Sequence, residues 1–261
     1  MRLRSSNTHE RHSLVDHGDR GASDANREAA ALVKITGDHA FRADDQFFVT
    51  TFTTLNGSGV TGEAIVGYDE QKHTITVAIS AEGLEANMPH IQHIHGFTDG
   101  TDARTPTLAQ DTDGDGFVEL GEGLPKYGDI LLNLTTDHTN GSGGDNGHDH
   151  SGDLTGFPTA PDGTVFFIET YQLPAGTLGI DPMLALREIV IHGMTVPEGA
   201  GAGTTGEVDG TAGYKLVLPV VSGELSNAGS YAQFQQFLTA SDFAQDAHAH
   251  GFGIGDLGMF G

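Results

Sequence analysis

Three runs decide the fold class: QFFVTTFTTL at 46–55, GEAIVGY at 62–68 and TITVAIS at 74–80. Each is rich in β-branched and aromatic residues, and Gly, Asp and Asn separate one from the next. Such runs form strands, because branched side chains fit a pleated, half-buried surface and lose rotamer freedom in a helix. The same pattern returns between Gly and Pro boundaries in DILLNL (129–134), TVFFIET (164–170), REIVIH (187–192) and YKLVLPVV (214–221). Seven to eight short strands with almost no long helical period predict an all-β fold, a Greek-key barrel or sandwich of antiparallel strands with short helical extensions.

Outside this β-rich region the composition changes, so residues 46–225 are expected to form the domain and residues 1–45 and 226–261 its extensions. In the first extension the only periodic stretch is DANREAAALV (24–33), a helix that Asp24 can cap. In the second, Tyr231, Phe234 and Phe237 or Leu238 fall at helical spacing before a Gly-rich tail, GFGIGDLGMFG. These extensions hold more aromatic and apolar residues than a solvated tail needs, which argues for a homo-oligomer with the tail docked on a partner subunit.

The chain of 261 residues carries 36 acidic against 12 basic side chains, a formal charge of −24. A field of that sign repels phosphate backbones and excludes nucleic acid as a natural partner; a metal cation or a basic partner suits it better. The absence of Cys rules out disulfides, a thiol nucleophile and thiolate metal ligands. No apolar run is long enough to span a membrane, and the polar N-terminus does not read as a secretion signal.

Metal chemistry is the theme of the histidines. PHIQHIHGF (89–97) brings His90, His93 and His95 together on an expected strand, whose alternation puts His93 and His95 on one face. At a rise of ~3.3 Å per residue, same-face neighbours lie roughly 6–7 Å apart, close enough to close on one metal. The alternative is a pair of imidazoles satisfied by polar groups of neighbouring strands. TDHTNGSGGDNGHDHSGD (136–153) carries His138, His148, His150 and Asp153 on a loop that has nothing to build a core from. Three imidazoles and a carboxylate suit a four-coordinate zinc, the alternative being a polar loop without metal. His192 ends the run REIVIH.

Taken in order along the chain, these segments resemble the copper/zinc superoxide dismutase family. PHIQHIHGF is similar to that family's HGFHVH-type strand, which implies copper ligation by His93 and His95 and a structural role for His90. HSGDLTGFPTAPDGTV (150–165) resembles the family's zinc segment, which implies that His150 and Asp153 bind zinc. IVIHG (189–193) resembles LVVHE and makes His192 a copper ligand. By order alone His138 becomes the bridging imidazole, a fourth copper ligand, and His148 a zinc ligand. GTAGYKLVLPVVSGEL (210–225) resembles the family's arginine segment, with Lys215 where the arginine that guides superoxide stands. The family's paired cysteines are absent, and Val196 stands where it has an aspartate linking the two metal sites. The implied activity is conversion of superoxide to oxygen and hydrogen peroxide, with Lys215 steering the anionic substrate. HIHG followed by the apolar strand DILLNL is also similar to the chordin-type CHRD domain, which implies a noncatalytic β-module for binding or assembly.

An insertion at 105–127 has a signature of its own. In DTDGDGFVELGE (111–122), Asp111, Asp113, Asp115, Glu119 and Glu122 occupy positions one, three, five, nine and twelve of an EF-hand-like calcium loop. Gly116 is at position six and Phe117 offers its carbonyl at position seven. Alternate carboxylates on a tight loop supply the hard oxygens that calcium needs; the alternative is a solvated acidic turn. Pro106 and Pro125 limit the flanking helices, Pro125 being expected to end the second, so a rigid clip is expected here and not an opening switch. Such loops stay filled where calcium is millimolar, which favours an extracellular or periplasmic place.

Overall fold

The structure, a computed structural model, describes residues 41–136, 154–173 and 183–250. The expected helix at 24–33 and the Gly-rich tail fall outside these residues. Ten strands form two antiparallel five-stranded sheets, accompanied by three short helices. Sheet A contains β1 (Gln46–Thr51), β3 (Thr61–Asp69), β4 (Thr74–Glu82), β7 (Thr164–Gln172) and β10 (Ser226–Gly229), in the order β10-β1-β3-β4-β7. Sheet B contains β2 (Thr53–Thr54), β5 (Gln92–Gly96), β6 (Asp129–Asn133), β8 (Glu188–Val196) and β9 (Gly213–Glu224), in the order β2-β9-β8-β5-β6.

The run 46–55, expected as one strand, is divided between the sheets. Its first half pairs with β3, whereas Thr53 and Thr54 pair with β9. Phe52 makes the corner, its N–H donating to Gly62 O at 2.9 Å. The two sheets therefore join through one switching strand, but among the described residues β6 and β7 do not pair across the opposite side. Among the described residues the architecture is therefore two antiparallel sheets packed face to face, without the closure of a barrel, and with ten strands where seven or eight were expected. The additions are β2, created by the corner, and β10, whose sequence SNAG has no apolar alternation to announce it.

Between the sheets, Val66, Val77, Ile79, Val165 and Phe167 of sheet A meet Ile94, Ile189, Ile191 and Val221 of sheet B. The alternate residues of sheet A, among them Phe47, Val49, Ile65, Ala78 and Ile168, form a second apolar layer. This layer is covered by α2 (Tyr231–Ala240) and α3 (Phe243–Ala249) through Phe234, Leu238, Phe243 and Ala247. Phe47 and Phe234 stack with ring centroids 4.0 Å apart. Burial of each such side chain stabilises by about 1.5–3 kcal/mol. The apolar residues Phe234, Leu238, Phe243 and Ala247 of this segment thus pack on the chain's own sheet. Covering on both faces also explains why TITVAISA of β4 is buried throughout. Two of its polar members are bonded, Thr76 to the Thr170 hydroxyl at 2.9 Å and Ser80 Oγ to Asp246 at 2.7 Å. No helix among the described residues is long and apolar enough to cross a membrane.

Candidate metal centre

On β5, Ile94 points into the intersheet core, so alternation sends His93 and His95 to the opposite face of sheet B. β8 runs beside it, with His93 opposite Val190 and His95 opposite Glu188. His192, two residues beyond Val190, lies diagonally across from His93. The three imidazole centroids are 5.6 Å (His93–His95), 5.4 Å (His93–His192) and 6.1 Å (His95–His192) apart. Each ring offers a nitrogen, all three within 4.8 Å of one another. All three residues are 0 % exposed.

Two of the rings are oriented by backbone carbonyls. His95 Nδ1 lies 2.9 Å from Gly128 O, and His192 Nδ1 lies 2.7 Å from Val217 O. A carbonyl can only accept, so in both rings Nδ1 carries the hydrogen and Nε2 presents the lone pair. That is the tautomer a metal takes, held by the outer bond that usually accompanies imidazole ligation. His90 has a different position. Its Nδ1 lies 3.0 Å from His192 O and its Nε2 3.1 Å from Glu85 O, so the ring cross-links two chain segments. Aromatic rings wall the group: Phe157 sits edge-on to His93 at 5.5 Å, and Tyr127 to His95 at 4.7 Å.

Glu188, opposite His95, is 0 % exposed and accepts hydrogen bonds from Thr105 and Ser222. Burial pushes its carboxyl from 4.5 up to about 7. The fold therefore prefers the neutral acid. Its contribution is present in full below about pH 4.5 and is lost as pH rises through about 7. Glu188→Gln should match the parent's stability at pH 4.5 and exceed it by up to about 3 kcal/mol above pH 7, at ~1.4 kcal/mol per tenfold change in proton equilibrium. Denaturant melts across that range measure the difference, and a constant gap between the two proteins would refute the assignment.

The acidic loop of the insertion is compact. Asp111, Asp113 and Asp115 each bring an oxygen within 4.8 Å of the others. Asp111 accepts from the N–H groups of Gly114 (2.7 Å) and Gly116 (2.9 Å), and Asp115 from Phe117 N–H (2.7 Å). Gly116 has φ +91°, a turn that a side chain would strain. Glu122 folds back over the loop, accepting from Thr112 N–H at 2.6 Å and from Glu119 N–H at 3.2 Å. Glu119 is not gathered with the aspartates. It is 5 % exposed and accepts from Val208 N–H at 2.6 Å, and burial together with Glu207, Asp115 and Asp113 raises its carboxyl to about 7. Phe117 packs against Val196, Val208 and Leu218. Asn56 pins the loop from below, its side-chain amide meeting both N–H (2.7 Å) and O (3.0 Å) of Val118. The helix that follows, α1 (Leu120–Tyr127), carries Pro125 inside it and ends only at Gly128, so Pro125 does not stop it as expected.

Lys215 stands opposite Met194, with Nζ 3.4 Å from Asp209 Oδ1 and 3.4 Å from Thr211 Oγ1. His138, His148, His150 and Asp153 lie outside the described residues. Sequence reasoning missed Glu207, whose carboxyl is raised first by burial and further by Glu122 and Asp115, while the Leu120 N–H bonds to it. It also missed Gly128 and Val217, since a backbone carbonyl leaves no trace in residue type. Neither protein-family models nor curated proteins provide a match to this chain.

Proposed function

We propose that the chain is a copper-dependent protein of the superoxide dismutase type, with His93, His95 and His192 as copper ligands and calcium in the 111–122 loop. The single observation that carries the reading is the convergence of three fully buried imidazoles, two of them fixed in the ligand tautomer. An all-nitrogen donor set suits copper, zinc or iron and not a hard cation. Redox activity at such a centre follows if copper is the occupant. Bound copper would supply one-electron chemistry, so that two superoxide ions and two protons become one oxygen and one hydrogen peroxide. The chain's part is to hold the three rings rigid from β5 and β8, through Gly128 O and Val217 O, and to shield them with Phe157 and Tyr127. His138 as a fourth, bridging ligand and zinc at His148, His150 and Asp153 belong to the same proposal on the sequence resemblance. So does the Greek key, supported by the path in which β5 and β6 leave sheet A after β4 and the chain returns as β7 beside it.

Lys215 is the proposed steering cation in an acidic field. Copper analysis of protein purified without chelator, followed by superoxide consumption at several ionic strengths, tests both points. Near-stoichiometric copper and a rate well above the apo protein are expected. Lys215→Glu should slow consumption several-fold at low salt without changing copper content, and the difference should shrink as the screening length falls below ~10 Å.

The contact of Lys215 with Asp209 favours a second reading, because a cation already neutralised steers weakly. In it the chain is a calcium-stabilised β-module of the CHRD type for extracellular binding or assembly. Copper-loaded protein no faster than apo protein would decide for that module.

A further inference from the structure

Two features bind the acidic loop to the histidine centre, and a third marks the loop as a place for a ligand. The first is α1, which begins inside the loop with Glu122 in its first turn and spans about 12 Å at 1.5 Å per residue. Its last residue, Tyr127, donates its hydroxyl back to Leu120 O at 3.1 Å and lays its ring edge against His95. The next residue, Gly128, supplies the carbonyl that takes His95 Nδ1–H, at φ +81° and so close to Gly96 that a side chain would run into that backbone. The second feature is the segment 197–212, which joins the strand of His192 to that of Lys215. It is held to the loop by Glu119 through Val208 N–H, and its Gly201 packs beside Asp115.

The third feature points to a ligand. Asp115 Oδ2 is shut off from solvent and accepts no hydrogen bond among the described residues. Asp111, Asp113 and Glu122 act on it as like charges, Glu119 and Glu207 add to the same negative field, and among the described residues no lysine, arginine or histidine pairs with any of these six carboxylates. A buried carboxylate oxygen with no donor, amid like charges, is a place for a cation.

We propose that calcium in the 111–122 loop is an effector of the histidine centre: by ordering the loop it fixes α1, and through Tyr127 and Gly128 it sets the position of His95. This rests on the metal reading above. Because coupling between sites is reciprocal, copper at the histidines then strengthens calcium binding by the same factor.

The test begins with full-length protein stripped of metal on a chelating resin and labelled with nitrogen-15 in histidine. Calcium alone should slow solvent exchange of the His95 Nδ1–H about tenfold, and magnesium at the same concentration should not. Copper(II) affinity, measured by competition with a chelating dye, should tighten about tenfold with calcium, equivalent to ~1.4 kcal/mol. Tyr127→Phe keeps the ring and loses the bond to Leu120 O, so it should bind calcium as the parent does and show a smaller response at His95. Glu122→Gln should lose calcium and response together, which gives a second variant if the first folds poorly. Calcium bound at one per chain with His95 exchange and copper affinity both unchanged would overturn the proposal, and so would failure to bind calcium. A His95 response to calcium in a protein that takes up no copper would refute the copper reading alone and leave the coupling standing.

Discussion

His95→Ala and His192→Ala are each expected to weaken copper binding by more than about 100-fold and to abolish any superoxide turnover. Loss of an outer hydrogen-bond partner alone costs about 10–100-fold in metal affinity, and these substitutions remove the donor atom itself. The strands that carry both residues are held by pairing along their length, so the fold should survive. His90→Ala is the informative contrast. Its ring nitrogens face the carbonyls of His192 and Glu85, and a neutral imidazole donates to one of them, so its loss should cost stability, about 1–3 kcal/mol for the carbonyl that loses its donor. It should keep copper near stoichiometric. Metal analysis of the three purified variants reads the result, and copper retained by both His95→Ala and His192→Ala would end the assignment.

Calcium is expected to raise the melting temperature of the parent by roughly 5–10 °C and that of Glu122→Gln or Asp111→Ala hardly at all. A ligand that binds only the folded state stabilises it by RT ln(1 + [L]/Kd), about 2.7 kcal/mol at one hundred times Kd. In a chain of this size each kcal/mol shifts the transition by about 2–4 °C. Asp111 accepts from two backbone N–H groups and Glu122 from Thr112 and Glu119, so both carboxylates also shape the loop through hydrogen bonds of their own. The variants should therefore melt somewhat lower than the parent even without calcium. The telling quantity is the increment on adding calcium, and an equal increment in parent and variants would reduce the loop to an acidic turn.

The histidine centre was legible because strand geometry is local. Once 92–96 is a strand, alternation alone puts His93 and His95 on one side, and no knowledge of the partner strand is needed. His192 required a second inference, that 188–196 pairs beside it, and the order of motifs supplied that. What could not be read is whatever depends on backbone atoms or distant segments. Gly128 and Val217 act through carbonyls, which every residue has. Glu207 stands 85 positions from Glu122 and reaches its neighbourhood only after the segment between β8 and β9 folds over the loop. The same reasoning covers the fold. Runs with dense β-branched residues became strands within a few positions of their expected ends, whereas SNAG became β10 because it completes the edge of β1. The single run 46–55 became two strands because Phe52 turns from one sheet to the other, a bend that periodicity does not encode.

The pairing of β1 with β10 has a consequence for synthesis on the ribosome. β1 can pair with β3 as soon as residue 69 has emerged, but its other edge must wait until residues 226–229 arrive. At ~5–20 residues per second the interval from residue 51 to residue 226 lasts roughly 10–35 s. Throughout it one edge of β1 is unpaired and the layer of Phe47, Val49, Ile65, Ala78 and Ile168 lacks its helices. Such an edge beside a bare apolar face is a template for pairing with other chains. The nascent chain is therefore most exposed to aggregation until residues 226–249 are made, and long-range closure of this kind also places the domain among slow folders. Chaperone demand should fall on the chain before residues 226–249 have emerged, and the arrival of that segment, not the formation of the first hairpins, is the step that closes the exposed edge and face.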